Sequence, residues 1–201
     1  VAGFLARTRQ DPRAETAFRL ATAWSSGQAI DGLDALGHAV NVANTLGRYT
    51  PDAPPQVVAA CLLHAIPLWP MTSDDVHEVV EAQCGVEARV LLEALRDEHA
   101  VLAKPSDLAV EGQLRLLRTM PWLVHAILAF KIVTLQYTSG RAARGCDAEA
   151  AWRPFPFHDN HVPYLRQLHD LAAGVVPQNM SGAYIRLLEH CLPVTTATAS
   201  R

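Results

Sequence analysis

The chain has 201 residues, half of them hydrophobic and 18% charged, with a formal net charge of -3. That length suits one domain with a substantial core. The hydrophobicity excludes a disordered chain, and the acidic balance argues against a nucleic-acid partner. Lys104 and Lys131 are the only lysines among basic residues that are otherwise arginine, which reads as coding bias before anion recognition. The longest apolar stretches, Val57 to Ile66 and Leu123 to Leu135, fall short of the roughly 20 residues a membrane span needs. No signal-peptide pattern opens the chain, and its start at Val1 rather than Met leaves room for an upstream segment. Cys61, Cys84, Cys146 and Cys191 show no CxxC or zinc-ligand spacing. The apolar neighbours of Cys61 and Cys191 suggest buried thiols in a reducing compartment, so a cytoplasmic protein without a membrane partner is expected.

Apolar residues recur at helical spacing almost throughout, and no stretch alternates as a strand would. The spacing predicts a first helix from Ala14 to Trp24 and a second from Leu33 to Leu46, with Leu36, Val40, Ala43 and Leu46 along one side. After the turn at Pro51 to Pro55, a third helix runs from Gln56 to Ile66, with Pro54 or Pro55 in its first turn. Pro67 and Pro70 end it. Thr72, Ser73 and Asp74 offer N-caps for a fourth helix through Ala82, and Gly85 breaks the chain before a fifth from Val86 to Val101. A sixth helix opens at Pro105 and Ser106 and continues to Arg118, and a long apolar seventh runs from Pro121 to Ser139, stopped by Gly140. Residues 141 to 158 read as a loop. Helices near His161 to Ala173 and Ser181 to Leu192 follow, then a frayed polar tail after Pro193. The expectation is an all-α bundle of about eight or nine helices, with one domain over 1–201.

The informative pattern is a pair of histidines on successive predicted helices. His38 lies in the run His38-Ala39-Val40-Asn41-Val42-Ala43, and His64 follows Ala59-Ala60-Cys61-Leu62-Leu63, 26 residues later. This resembles the HD-domain superfamily, and within it the RelA/SpoT-type alarmone hydrolases, which pair H-x-x-x-V-A with A-A-L-L-H-D at about this distance. Cys84-Gly85-Val86-Glu87-Ala88-Arg89-Val90 loosely matches that family's break before its next helix. Lys131-Ile132-Val133-Thr134-Leu135-Gln136-Tyr137-Thr138 stands where the family reads K-L-A-D-R-L-H-N. The resemblance covers residues 14 to 175 and implies an HD-domain-like helical bundle.

It also implies a metal held by two histidines and two aspartates, and the carboxylates have gone. The H-D aspartate is Ala65 here and the later aspartate is Thr134. The Glu-Asp pair that helps to activate water is Leu68 and Trp69, and the downstream asparagine is Thr138. Two neutral imidazoles with nothing to offset a dication hold it weakly, and lowering the pKa of a bound water needs a tightly held ion. No metal and no cofactor are therefore expected. Exchanging acids for alanine, leucine and tryptophan gives His38 and His64 an apolar pocket wall, suited to an organic ligand with imidazole as proton donor or acceptor. A histidine of perturbed pKa supports that reading, and a closed, solvent-free interior would sink it.

The leading reading is a repurposed, metal-independent enzyme acting on a small organic substrate by cyclisation, rearrangement or elimination. His38 and His64 would be its acid/base residues, and Leu68, Trp69, Lys131, Thr134, Tyr137 and Thr138 would contact the substrate. A non-catalytic pseudo-hydrolase binding a nucleotide or other small ligand is the alternative, as is residual metal-dependent phosphohydrolysis of (p)ppGpp or nucleotides. A homodimer is an open possibility. His125 and Lys131 are six apart on an apolar helix, so each is expected to snorkel or pack, whereas Thr134 and Thr138 share a face. His158-Asp159-Asn160-His161 reads as a solvated loop or helix cap before a metal cluster, and Arg141 and Arg144 read as solvated. His77, His99, His169 and His190 receive no functional role.

Overall fold

The structure is a computed structural model and describes residues 2–30, 33–65, 76–103, 106–143 and 162–191. Its helices are α1 (Ala2–Thr8), α2 (Pro12–Trp24), α3 (Ala35–Tyr49), α4 (Pro55–Leu63), α5 (Val76–Cys84) and α6 (Val86–Ala103), followed by α7 (Asp107–Thr119), α8 (Pro121–Ala143), α9 (Val162–Ala172) and α10 (Gln178–Cys191). Ten helices among the described residues make an all-α bundle. Between α2 and α3 lies a minimal antiparallel pair, β1 (Ala29–Ile30) with β2 (Leu33–Asp34).

Local chemistry accounts for the helix starts. Asp11 caps α2 by accepting from the Arg13 amide at 2.8 Å, with Pro12 at the first position. Asp34 does the same for α3 through the Gly37 amide at 2.7 Å, and Ser106 for α7 through Ala109. Pro54 and Pro55 open α4, as the sequence suggests. The proposed caps Thr72, Ser73 and Asp74 lie outside the described residues.

Two helices form the interior. In α4 every residue from Val57 to Leu63 is at most 1% exposed, because α2, α3, α6 and α8 pack around it. A helix that is apolar on all sides is a core helix. α8 is the second spine and packs on α3, α4, α6, α7, α9 and α10. Ala14, Ala17 and Ala21 bring α2 close against α4 and α5, since methyl side chains let two backbones approach. Gly85, at φ +98°, makes the sharp turn between α5 and α6 that a side chain would strain.

The structure differs from the expected elements at α1, at the short β1–β2 pair and at the end of α8. α1 falls outside the predicted elements: at seven residues it is too short to persist alone, and it is held by buried Phe4, whose ring lies where a Cβ on Gly47 would be. The tally of eight or nine helices rises accordingly. The β1–β2 pair is too short to show alternation. Gly140 does not stop α8, which runs on to Ala143; one glycine costs a helix only about 1 kcal/mol. The tail after Pro193 lies outside the described residues.

Candidate functional site

α3, α4, α6 and α8 converge on one cluster. His38 lies in the first turns of α3, and His64 directly follows α4. Their rings are 5.3 Å apart, centroid to centroid. Phe130 of α8 packs against both, at 5.8 Å from His38 and 5.0 Å from His64. A third imidazole completes the group: His99 of α6 is 6.2 Å from His64 and 5.0 Å from Phe130. His38 and His64 are 1% and 2% exposed. His99 and Phe130 are partly exposed, so the cluster meets the surface on their side.

Beneath the imidazoles lies a buried ionic network. Lys131 Nζ sits 2.8 and 3.1 Å from the two carboxylate oxygens of Glu98, and the Tyr164 hydroxyl donates to Glu98 Oε1 at 3.1 Å. Lys131 therefore does not snorkel: it is fully buried, because Glu98 on α6 offers a counter-charge inside the bundle. His99 Nε2 is 4.0 Å from Glu98 Oε2, too far for a hydrogen bond.

Burial holds all three histidines neutral. Desolvation first, then the neighbouring His64, lowers His38 to about 3. Desolvation lowers His64 to about 4, with the Lys131 charge adding to it and the Cys61 carbonyl opposing it. His99 is pushed well below its ordinary value by burial and then by Lys131. For Lys131 burial pulls the pKa down while Glu98 pushes it back up. His64 Nδ1 lies 2.7 Å from the Cys61 carbonyl; a carbonyl only accepts, so the proton is on Nδ1 and Nε2 carries the lone pair. His38 Nε2, His64 Nε2 and both ring nitrogens of His99 are buried without a hydrogen-bond partner.

The remaining candidates divide. Thr134 and Thr138 share a buried face of α8, with the Thr138 hydroxyl donating to the Thr134 carbonyl at 3.0 Å and Thr134 Oγ1 unpartnered. Tyr137 turns instead into a cleft of about 380 Å³ between α3 and α8. His125 donates from Nδ1 to the Pro121 carbonyl at 2.9 Å and packs on Trp122, which itself lines an apolar hollow of about 300 Å³. Leu68 and Trp69, His158 to His161, Arg144 and Cys146 lie outside the described residues, as does the Arg141 side chain. Cys61, Cys84 and Cys191 are buried free thiols.

The divalent metal that the resemblance implies does not fit the donors described. Two imidazoles are present, but Ala65 and Thr134 bring no charge where the pattern has carboxylates, and Glu98 is already engaged by Lys131 and Tyr164. The Lys131 cation also acts on His64 and His99 and would repel a dication. Among the described residues no group of three or more His, Cys, Asp or Glu side chains is placed to hold a metal ion.

His99, Glu98, Phe130 and Tyr164 hold no role in the reading of the sequence. One signal was available: Leu91, Leu95, Glu98 and Leu102 recur at spacings of four, three and four, so Glu98 occupies a core position of an apolar stripe. Lys131 does the same on α8.

Helices of this order, meeting at paired histidines, define an HD-like all-α fold. The solved structure of a metazoan ortholog of SpoT, described as hydrolysing ppGpp and as playing a role in starvation responses, is similar with a TM-score of 0.65. The match covers 88% of this chain and 94% of that one, at 16% identity, and the likeness is one of fold. No family model matches the chain, and no curated protein does. No single helix among the described residues is long and apolar enough to cross a membrane.

Proposed function

We propose that this chain uses the HD-like fold to bind a small, uncharged organic ligand at the histidine cluster, without metal-dependent phosphohydrolysis. The observation that carries the reading is the set of four buried ring nitrogens without partners, on imidazoles held neutral around Phe130. A buried polar atom left unpaired costs about 1–3 kcal/mol, and a ligand bringing complementary donors and acceptors recovers it. His64 Nε2 accepts from such a ligand, Phe130 supplies the apolar contact, and burial of His38 and His64 sequesters what they hold. Their enclosure counts against a solvent-open pocket and favours a compact ligand entering past His99.

A catalytic reading comes second and is favoured by the His64 tautomer, whose lone pair is directed away from the Cys61 carbonyl as a base requires. Against it, a base whose conjugate acid has a pKa of about 4 is poorly matched to neutral pH, where catalysis works best with a pKa near the working pH. Thermal-shift screening against uncharged N-heterocycles and lactams tests the proposal, with assays for turnover of each hit and for pyrophosphate release from ppGpp with manganese. The expected outcome is stabilisation by a ligand that His64→Phe abolishes, with no turnover and no pyrophosphate. Manganese-dependent release that is lost in His64→Phe would overturn the reading.

A further inference from the structure

The cleft between α3 and α8 is a different environment from the histidine cluster. Asn41, Asn44 and Arg48 recur at spacings of three and four, which puts them on one stripe of α3, and Gln136 and Tyr137 face them from α8. The cleft is open to solvent and its volume is about 380 Å³, within the usual range for a small-molecule pocket. Val133 adds an apolar patch to an otherwise polar lining.

Two features ask for something the described residues do not supply. Asn44 Oδ1 is buried and accepts no hydrogen bond, although a buried carbonyl oxygen is normally satisfied. Arg48 brings a guanidinium to the same cleft, and among the described residues no carboxylate pairs with it. A guanidinium is a fixed fork of donors that matches a carboxylate or phosphate in a bidentate pair. Asn41 and Gln136 each donate and accept through their carboxamides.

We propose that this cleft is a second small-molecule site, for an organic anion that also carries an N–H or O–H donor. The anionic group pairs with Arg48, the donor meets Asn44 Oδ1 once that side chain rotates to bring its buried oxygen to the cleft surface, and the ligand's carbon skeleton lies on Val133. Arg48 is ten residues beyond His38, which along a helix is about 15 Å, so the two sites bind independently. The proposal goes beyond the histidine-cluster reading and does not depend on it.

The test is an NMR titration of the whole chain, following the Arg48 Nε–H and the Asn44 carboxamide. Adenosine 5′-monophosphate serves as the phosphate probe and L-malate as the carboxylate probe, each with its own donor. At least one probe is expected to shift both resonances saturably. Arg48→Gln, an exposed position, should leave the melting temperature unchanged and weaken binding about tenfold or more, the equivalent of a lost charge-assisted hydrogen bond. His64→Phe should leave the affinity unaltered. Response to one probe alone assigns the anion as phosphate or carboxylate. If neither probe moves the resonances at millimolar concentration, if Arg48→Gln binds as tightly, or if His64→Phe abolishes binding, the proposal fails.

Discussion

At the scale of single residues, the protein depends on keeping several ionisable groups in unusual states. His38 and His64 fall to about 3 and about 4 in the folded chain and return to their ordinary value of about 6.5 on unfolding. Below that value the unfolded chain takes up protons that the folded one refuses. Stability is therefore greatest above pH 6.5 and declines as pH falls towards 4, at up to about 1.4 kcal/mol per pH unit for each histidine. Melting temperatures between pH 7.5 and 4.5 should show this slope, and the His38→Gln/His64→Asn double variant should reduce it, leaving the part that buried His99 contributes. Glu98 and Lys131 give a second prediction. Lys131→Met leaves a buried carboxylate whose remaining partner is Tyr164, at a cost of about 3–5 kcal/mol. Adding Glu98→Leu removes the stranded charge and should recover most of that loss in urea denaturation. A double variant no more stable than Lys131→Met would show that the pair is not coupled.

At the scale of elements, α1 and α3 show how local signals and tertiary contacts share the work. α3 has its own start signal in Asp34, and Asp34→Ala should cost about 1 kcal/mol in chemical denaturation. α1 has no such signal. It exists where Phe4 rests on the bare backbone of Gly47, so Gly47→Ala forces a methyl into the Phe4 ring. We expect a loss of about 1–3 kcal/mol, together with faster hydrogen exchange confined to α1. Uniform exchange across the chain would argue that α1 is not held by this contact. The same contrast explains what was legible in the sequence. α4 and α8 could be read from apolar runs bounded by proline, and α2 and α7 from their spacing. α1 could not, because seven residues carry too little periodicity and its anchor lies 43 positions away in the chain.

At the scale of the whole molecule, the fold and the absence of a carboxylate at Ala65 and Thr134 together make a prediction about metal. After incubation with manganese and removal of the excess, the purified chain should retain far less than one equivalent, and His38→Ala/His64→Ala should retain no less. Near-stoichiometric metal that the double variant loses would mean that ligands beyond the described residues complete the site.

The sequence by itself determined the helical class and most helix positions, because proline, capping residues and apolar periodicity act within a few residues of one another. It also showed that Ala65 and Thr134, with no carboxylate, stand at the positions where the resemblance carried by His38 and His64 implies acids, since those identities are read position by position. Only the tertiary structure decided that His99 joins them, that Lys131 turns inward to Glu98 and Tyr164, and that Tyr137 faces Arg48 across a separate cleft. Each of these depends on which faces of α3, α6, α8 and α9 meet. That choice is made by packing between elements far apart in the chain, where side-chain identity alone leaves a histidine or a lysine equally suited to solvent, core or ligand.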